Sequence, residues 1–167
     1  MKKIENIELE RARFAYECAR IGASIAKEKQ KWNNEYYCDE NYTSYVKKIP
    51  TMIKTNGLGA TFAFINSKRL SEKTQMKNNG KLPGNPENPK NAYDLIYEQT
   101  RQWLHNNPVN PFKQLANGDL MEELLKLESE DYRLCTFEVL AFFQWLRRFA
   151  EGVRLGEQSE EQQAEIQ

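Results

Sequence analysis

Apolar residues recur along this chain at three- and four-residue steps, the period of a helix with one buried face. From Glu5 to Trp32, Ala12, Ala15, Tyr16, Ala19, Gly22, Ala23 and Ala26 fall on one stripe, predicting a long first helix. The stripe is built mostly of small side chains, so a neighbouring helix can approach closely. Asn33 to Glu40 is polar and reads as a bend. A second helix is predicted over Asn41 to Lys48, with Tyr42, Tyr45, Val46 and Ile49 on one side. Pro50 has no amide donor, so the pattern predicts a break near Lys48 and a fresh start at Pro50. That piece stops at Asn56-Gly57, where glycine serves as a left-handed terminator. Leu58 to Ser67 restarts with Phe62, Ala63, Phe64 and Ile65, an almost all-round apolar segment expected at the centre of the core.

Ser71 to Lys90 has no period and contains Asn79-Gly80, Pro83-Gly84, Pro86 and Pro89, the composition of a long loop. Asn91 to His105 predicts a helix, with Asn91 as its cap, Asp94 in the first turn, and Leu95, Ile96, Thr100, Trp103 and Leu104 facing inward. Asn106 to Gly118 is a second irregular connection, and Asp119-Leu120-Met121-Glu122 opens a short helix through Leu127. From Ser129 to about Arg154, Tyr132, Cys135, Val139, Phe142, Phe143, Leu146, Phe149 and Val153 repeat at the spacing of a long aromatic-rich helix. Gly156 to Gln167 is acidic and polar and is expected to be disordered. The pattern therefore predicts an all-α chain with one domain, a bundle of about five to seven helices over residues 1–155 and a tail over 156–167.

Charge changes this picture. The 167 residues carry no net charge, with 24 bases and 24 acids, but the layout is uneven. Tyr42 to Lys90 holds nine bases against two acids, net +7, whereas the last eleven residues hold four acids and no base. Lys47, Lys48, Lys54, Lys68 and Arg69 stand between Tyr42 and Arg69 without a single acid. These bases belong to consecutive short helices that must fold back on one another, so they can converge on one surface. Arg147 and Arg148 join them if the last helix packs alongside. Such a surface suits the phosphates of a nucleic acid, without sequence readout. A lysine-rich surface that only confers solubility is the plain alternative.

Little catalytic chemistry accompanies these bases. His105 is the one histidine, at the end of a helix, where a cation favours the dipole. Cys18, Cys38 and Cys135 lack metal-ligand spacing and read as reduced thiols, with Cys18 and Cys135 buried. The pairs Glu122-Glu123 and Glu130-Asp131 could hold magnesium, but each opens or precedes a helix and suits capping. Asn56-Gly57-Leu58-Gly59 lacks the Lys-Ser/Thr ending of a phosphate loop and reads as a helix stop and restart. The aromatic residues of the last helix are spaced as core, while Tyr36, Tyr37, Tyr42 and Tyr45 are less regular and could leave one or two rings exposed. The start lacks a secretion signal and no apolar run approaches the roughly 18 residues that span a bilayer, so the expectation is a soluble cytoplasmic protein.

Several of these segments resemble one family. Tyr45-Val46-Lys47-Lys48-Ile49-Pro50, Asn56-Gly57-Leu58-Gly59, Ala63-Phe64, Trp103-Leu104, Tyr132-Arg133 and Trp145-Leu146-Arg147-Arg148-Phe149-Ala150 are similar, in order and spacing, to the small all-helical subunit of type III-B CRISPR (Cmr) RNA-silencing complexes. The resemblance runs from Glu8 to Gly152. It implies a non-catalytic subunit, without cofactor, that braces the filament of backbone subunits and lines the channel where target RNA pairs with guide RNA. Its implied partners are the other subunits, further copies of itself, and the RNA backbone. Lys47, Lys48, Lys54, Arg147 and Arg148 are the positions it makes RNA-facing. A metal-dependent nuclease and a protein-only helical adaptor are the alternative readings.

Overall fold

A computed structural model describes residues 2–27, 41–69, 91–107 and 118–166. Six helices account for nearly all of them: α1 (Lys2–Lys27), α2 (Tyr42–Asn56), α3 (Leu58–Arg69), α4 (Ala92–Asn106), α5 (Leu120–Leu125) and α6 (Ser129–Glu165). No strand occurs among the described residues. The all-α bundle expected from the period is therefore present. The predicted bend at 33–40, the proline-rich loop at 71–90, most of the 106–118 connection, and Cys38, Tyr36 and Tyr37 lie outside the described residues.

α6 is the spine. α1 and α2 pack lengthwise on it, α3 and α4 cover α2, and α5 packs against α3. The contacts Arg11–Glu138, Phe14–Phe142 and Tyr16–Phe149 advance together, so α1 and α6 run in the same direction. Cys135, Val139, Phe142, Phe143, Leu146 and Ala150 make the buried stripe of α6. On α1 the stripe is Ala15, Cys18, Ala19 and Gly22, which lets the ring of Tyr42 lie against the helix backbone. A Cβ at Gly22 would stand 2.1 Å from Tyr42 Cε1. Tyr42 is held in place by donation to Gln99 Oε1 at 2.6 Å. Tyr16, placed on the inner stripe by its spacing, is instead 46% exposed with its ring edge-on to Phe149. Burial pushes the Cys18 thiol above its ordinary pKa, as suits an inert core cysteine.

At three places the structure departs from the local pattern. The expected break at Pro50 is absent, and α2 runs unbroken from Tyr42 to Asn56 with Pro50 inside it. A proline costs an interior helix about 3 kcal/mol through its missing amide and its ring clash. Continuity, however, keeps Val46, Ile49, Pro50 and Ile53 buried on one side. Full burial of each large side chain is worth about 1.5–3 kcal/mol, so the core outweighs the lost bond. Second, α3 buries Leu58, Phe62 and Ile65 but leaves Ala63 and Phe64 exposed, so it is not the central helix. That place belongs to α4, where every residue from Asp94 to Thr100 is buried, polar ones included. Third, Gly156 to Glu165 continues α6 rather than forming a disordered tail. This stretch contains no proline, and its Glu, Gln and Ala are good helix formers.

Other local signals act as their chemistry predicts. Gly57 adopts φ 89°, and its amide donates to Ile53 O at 2.9 Å, so a residue with the freedom of glycine ends α2. Asn91 Oδ1 accepts from Asp94 N at 2.8 Å and caps α4. Asp119 caps α5 by accepting from Met121 N at 3.2 Å.

Candidate nucleic-acid interface

The bases predicted to share a surface fall into two groups. Lys47, Lys48, Lys54, Lys68, Arg147 and Arg148 are exposed. Arg69 is not: it is 4% exposed and turned into the protein. Its Nε donates to Asp94 Oδ1 at 2.9 Å and its Nη2 to Glu98 Oε1 at 3.2 Å. The guanidinium carbon also lies 3.9 Å from the centre of the Tyr97 ring. Arg69 is therefore a core residue joining α3 to α4, and it does not belong among the RNA-facing bases. The signal was in the sequence: Leu58, Phe62, Ile65 and Arg69 occupy one helical stripe at four-, three- and four-residue steps.

α2 and α6 form an open groove lined by Thr43, Ser44, Lys47, Lys48, Thr51, Met52, Glu151 and Arg154. Two helices packed on a shared core hold these side chains, so the groove has a fixed frame. Lys47 and Lys54 stand seven residues apart on one face of α2, and Arg147 and Arg154 likewise on α6. Two basic rows thus flank the groove. Sequence reasoning passed over Arg154, although its seven-residue step from Arg147 marks it as part of that row. Lys68 does not line this groove; it stands on α3 with its Nζ 5.4 Å from the centre of the Phe64 ring.

Glu151 is the acid within the groove. Lys47 Nζ donates to its Oε2 at 3.0 Å and Arg154 Nη2 to its Oε1 at 2.6 Å. Those two hydrogen bonds, Arg154 first, hold the carboxyl below its ordinary pKa, so Glu151 stays ionised at neutral pH. Exposed pairs of this kind contribute little to stability, so Lys47 and Arg154 can exchange Glu151 for another anion at small cost. Lys48, Lys54, Arg147 and Arg148 make no ion pair with any described residue.

The remaining candidates have structural partners. Gly59 N donates to Tyr132 Oη at 2.7 Å, which ties the α2–α3 turn to the first turn of α6. That amide is thereby occupied, in keeping with a helix stop and restart. His105 Nε2, in the last turn of α4, lies 3.5 Å from Glu123 Oε2, and Glu123 Oε1 accepts from Gly118 N at 2.8 Å. Glu130 and Asp131 occupy the first turn of α6, where the helix dipole favours acids.

Comparison with known proteins bears on this helical frame directly. The family model for CRISPR-associated protein (Cas_Cmr5) matches residues 7–153. The chain belongs to this family. The resemblance to the small subunit of type III-B CRISPR complexes is borne out, and the match spans nearly the same stretch, Glu8 to Gly152. Within the Cas_Cmr5 match lie α2 to α5 entire, most of α1 and α6, and every groove residue except Arg154. The last turns of α6 follow it. No helix among the described residues is long and apolar enough to cross a membrane.

This Cmr5-type chain also has an apolar surface near the start of α6. Leu134 is 57% exposed and Phe137 63%, the latter beside a shallow groove with Leu127, Tyr132, Arg133 and Thr136. Between Leu134 and Arg147 the sequence carries no base, and Glu138 is turned to Arg11 and Trp103. At a rise of about 1.5 Å per residue, Arg147 begins its basic row roughly 20 Å further along the helix than Leu134. The apolar patch and the basic row therefore occupy separate stretches of α6.

Proposed function

We propose that the chain is a non-catalytic structural subunit of the RNA-guided complex, contacting the guide or target RNA backbone through the α2–α6 groove and docking a neighbouring protein subunit through the Leu134–Phe137 surface. The groove carries this reading: two rows of exposed bases on helices that share a core, with α2 contributing no acid and α6 contributing Glu151. Such a surface binds phosphates by charge and shape and reads no sequence. A metal-dependent nuclease would instead show magnesium-dependent cleavage by the purified chain, which is the result that sinks the non-catalytic role.

The test is RNA affinity as a function of salt. Each phosphate contact to a single strand contributes about −0.7 to the log–log slope, so replacing Lys47, Lys48 and Lys54 by alanine is expected to flatten it by about 2. Glu151→Gln is expected to tighten binding at low salt, because Lys47 and Arg154 lose their internal anion. An unchanged slope in the triple variant refutes the groove.

The docking surface has a separate readout. Phe137→Glu is expected to weaken incorporation into the assembled complex while leaving the salt slope and the helical circular dichroism unchanged, since Phe137 is 63% exposed and supports little of the core. Normal incorporation of this variant removes Phe137 from the interface.

A further inference from the structure

Beyond Lys48 the surface turns aromatic. Tyr45, one turn before Lys48 on α2, stacks on Tyr93 of α4 with ring centres 4.1 Å apart. Phe64 of α3 meets Tyr93 edge-on at 5.9 Å. Lys68 Nζ stands 5.4 Å from the centre of the Phe64 ring. Three helices thus contribute to a patch with aromatic rings in the middle and a lysine at either side.

Phe64 is the unusual member. Leu58, Phe62 and Ile65 are buried on the inner side of α3, whereas Phe64 is 38% exposed. Its neighbours on the outer row are Ala60, Ala63 and Ser67, all small and all exposed. They leave room for a flat group beside the ring. No acid occurs anywhere from Tyr42 to Arg69, so neither α2 nor α3 places a negative charge against an incoming anion. The part of the ring left in water adds nothing to the burial that stabilises the core.

We propose that an unpaired base of an RNA strand stacks on Phe64, with Lys68 moving from the ring to the adjoining phosphate. Rings flanked by cations are the arrangement that binds single strands, because every base offers a π-face and the cations track the backbone. The lysine stem is flexible, and among the described residues its ammonium is held over the ring by an exposed cation–π contact, a weak one. The inference deepens the proposed RNA contact and rests on it: the groove supplies charge, and Phe64 selects unpaired over paired strands.

The experiment compares Phe64→Ala, Phe64→Leu and Phe64→Trp with the wild-type chain, using single-stranded RNA containing 2-aminopurine and a fully paired duplex of the same length. Loss of the ring is expected to weaken single-strand binding roughly five- to 150-fold. Alanine and leucine should both show the loss, tryptophan should restore binding, and duplex affinity and the salt slope should not change. The leucine variant retains an apolar side chain and guards against a folding defect. Equal loss for duplex and single strand, no loss in either ring-deleted variant, or a loss confined to subunit docking overturns the stacking site. If the slope still depends on Lys47, Lys48 and Lys54 while Phe64 is silent, the stacking site alone fails. If the wild-type chain binds no RNA at any salt concentration, the groove fails with it.

Discussion

Replacing Arg69 by alanine is expected to destabilise the protein by about 3–5 kcal/mol, the loss seen when one partner of a buried ion pair is removed. The guanidinium bridges Asp94 at 2.9 Å and Glu98 at 3.2 Å, and Asp119 lies 3.8 Å away. Asp94 is fully buried and Glu98 is 4% exposed. Without Arg69, carboxylates at the centre of the bundle would lose their main counter-charge. Arg101 still reaches Glu98 at 2.8 Å but comes from the same helix and does not tie α3 to α4. Lysine at position 69 is expected to recover only part of the loss, since a point charge cannot span two carboxylates as the guanidinium fork does. Replacing all three of Arg69, Asp94 and Glu98 by apolar residues of similar volume is expected to be far milder than Arg69→Ala alone. Urea unfolding followed by circular dichroism measures each variant. A change below about 1 kcal/mol for Arg69→Ala would place the residue back on the surface as an ordinary exposed base.

Phe142→Ala is expected to cost a similar amount, about 3–5 kcal/mol, through lost burial and the cavity left behind. Phe142 is fully buried where α1, α4 and α6 meet. Its ring centre lies 5.8 Å from that of Phe14, 6.0 Å from Trp103 and 5.4 Å from Phe143. A polar rim closes one side: Trp103 Nε1 and Arg11 Nε both donate to Glu138 Oε1 at 2.9 Å. These bonds hold the surrounding side chains in place, so the site cannot collapse freely into the vacated volume. Phe142→Leu keeps most of the volume and is expected to cost less than about 1.5 kcal/mol. Denaturant midpoints with an unchanged slope check both values, and equal midpoints for alanine and wild type would contradict the packing described.

Much of the helical frame was legible along the chain. Asn91 caps α4 and Gly57 ends α2, because each signal depends on a side chain and the backbone within a few residues of it. The aromatic period of α6 likewise marks Cys135, Val139, Phe142, Phe143 and Leu146 as core. Pro50 shows where such reasoning stops. Its local preference is a break, yet burial of Ile49 and Ile53 together keeps the helix whole. Arg69 shows the same limit for charge. A base reads as solvated until acids from a distant segment, Asp94 and Glu98, are seen to face it.

The sequence by itself determined the helical class, most element ends, the family and the excess of positive charge between Tyr42 and Lys90, all of which are carried by period, caps, motif order and local composition. Only the tertiary structure decided which of those bases reach solvent, that Arg154 and Glu151 share the groove with Lys47, and that Phe64 lies outside the core. Those outcomes depend on how helices pack across long sequence separations, where the burial of one face fixes what every other face presents.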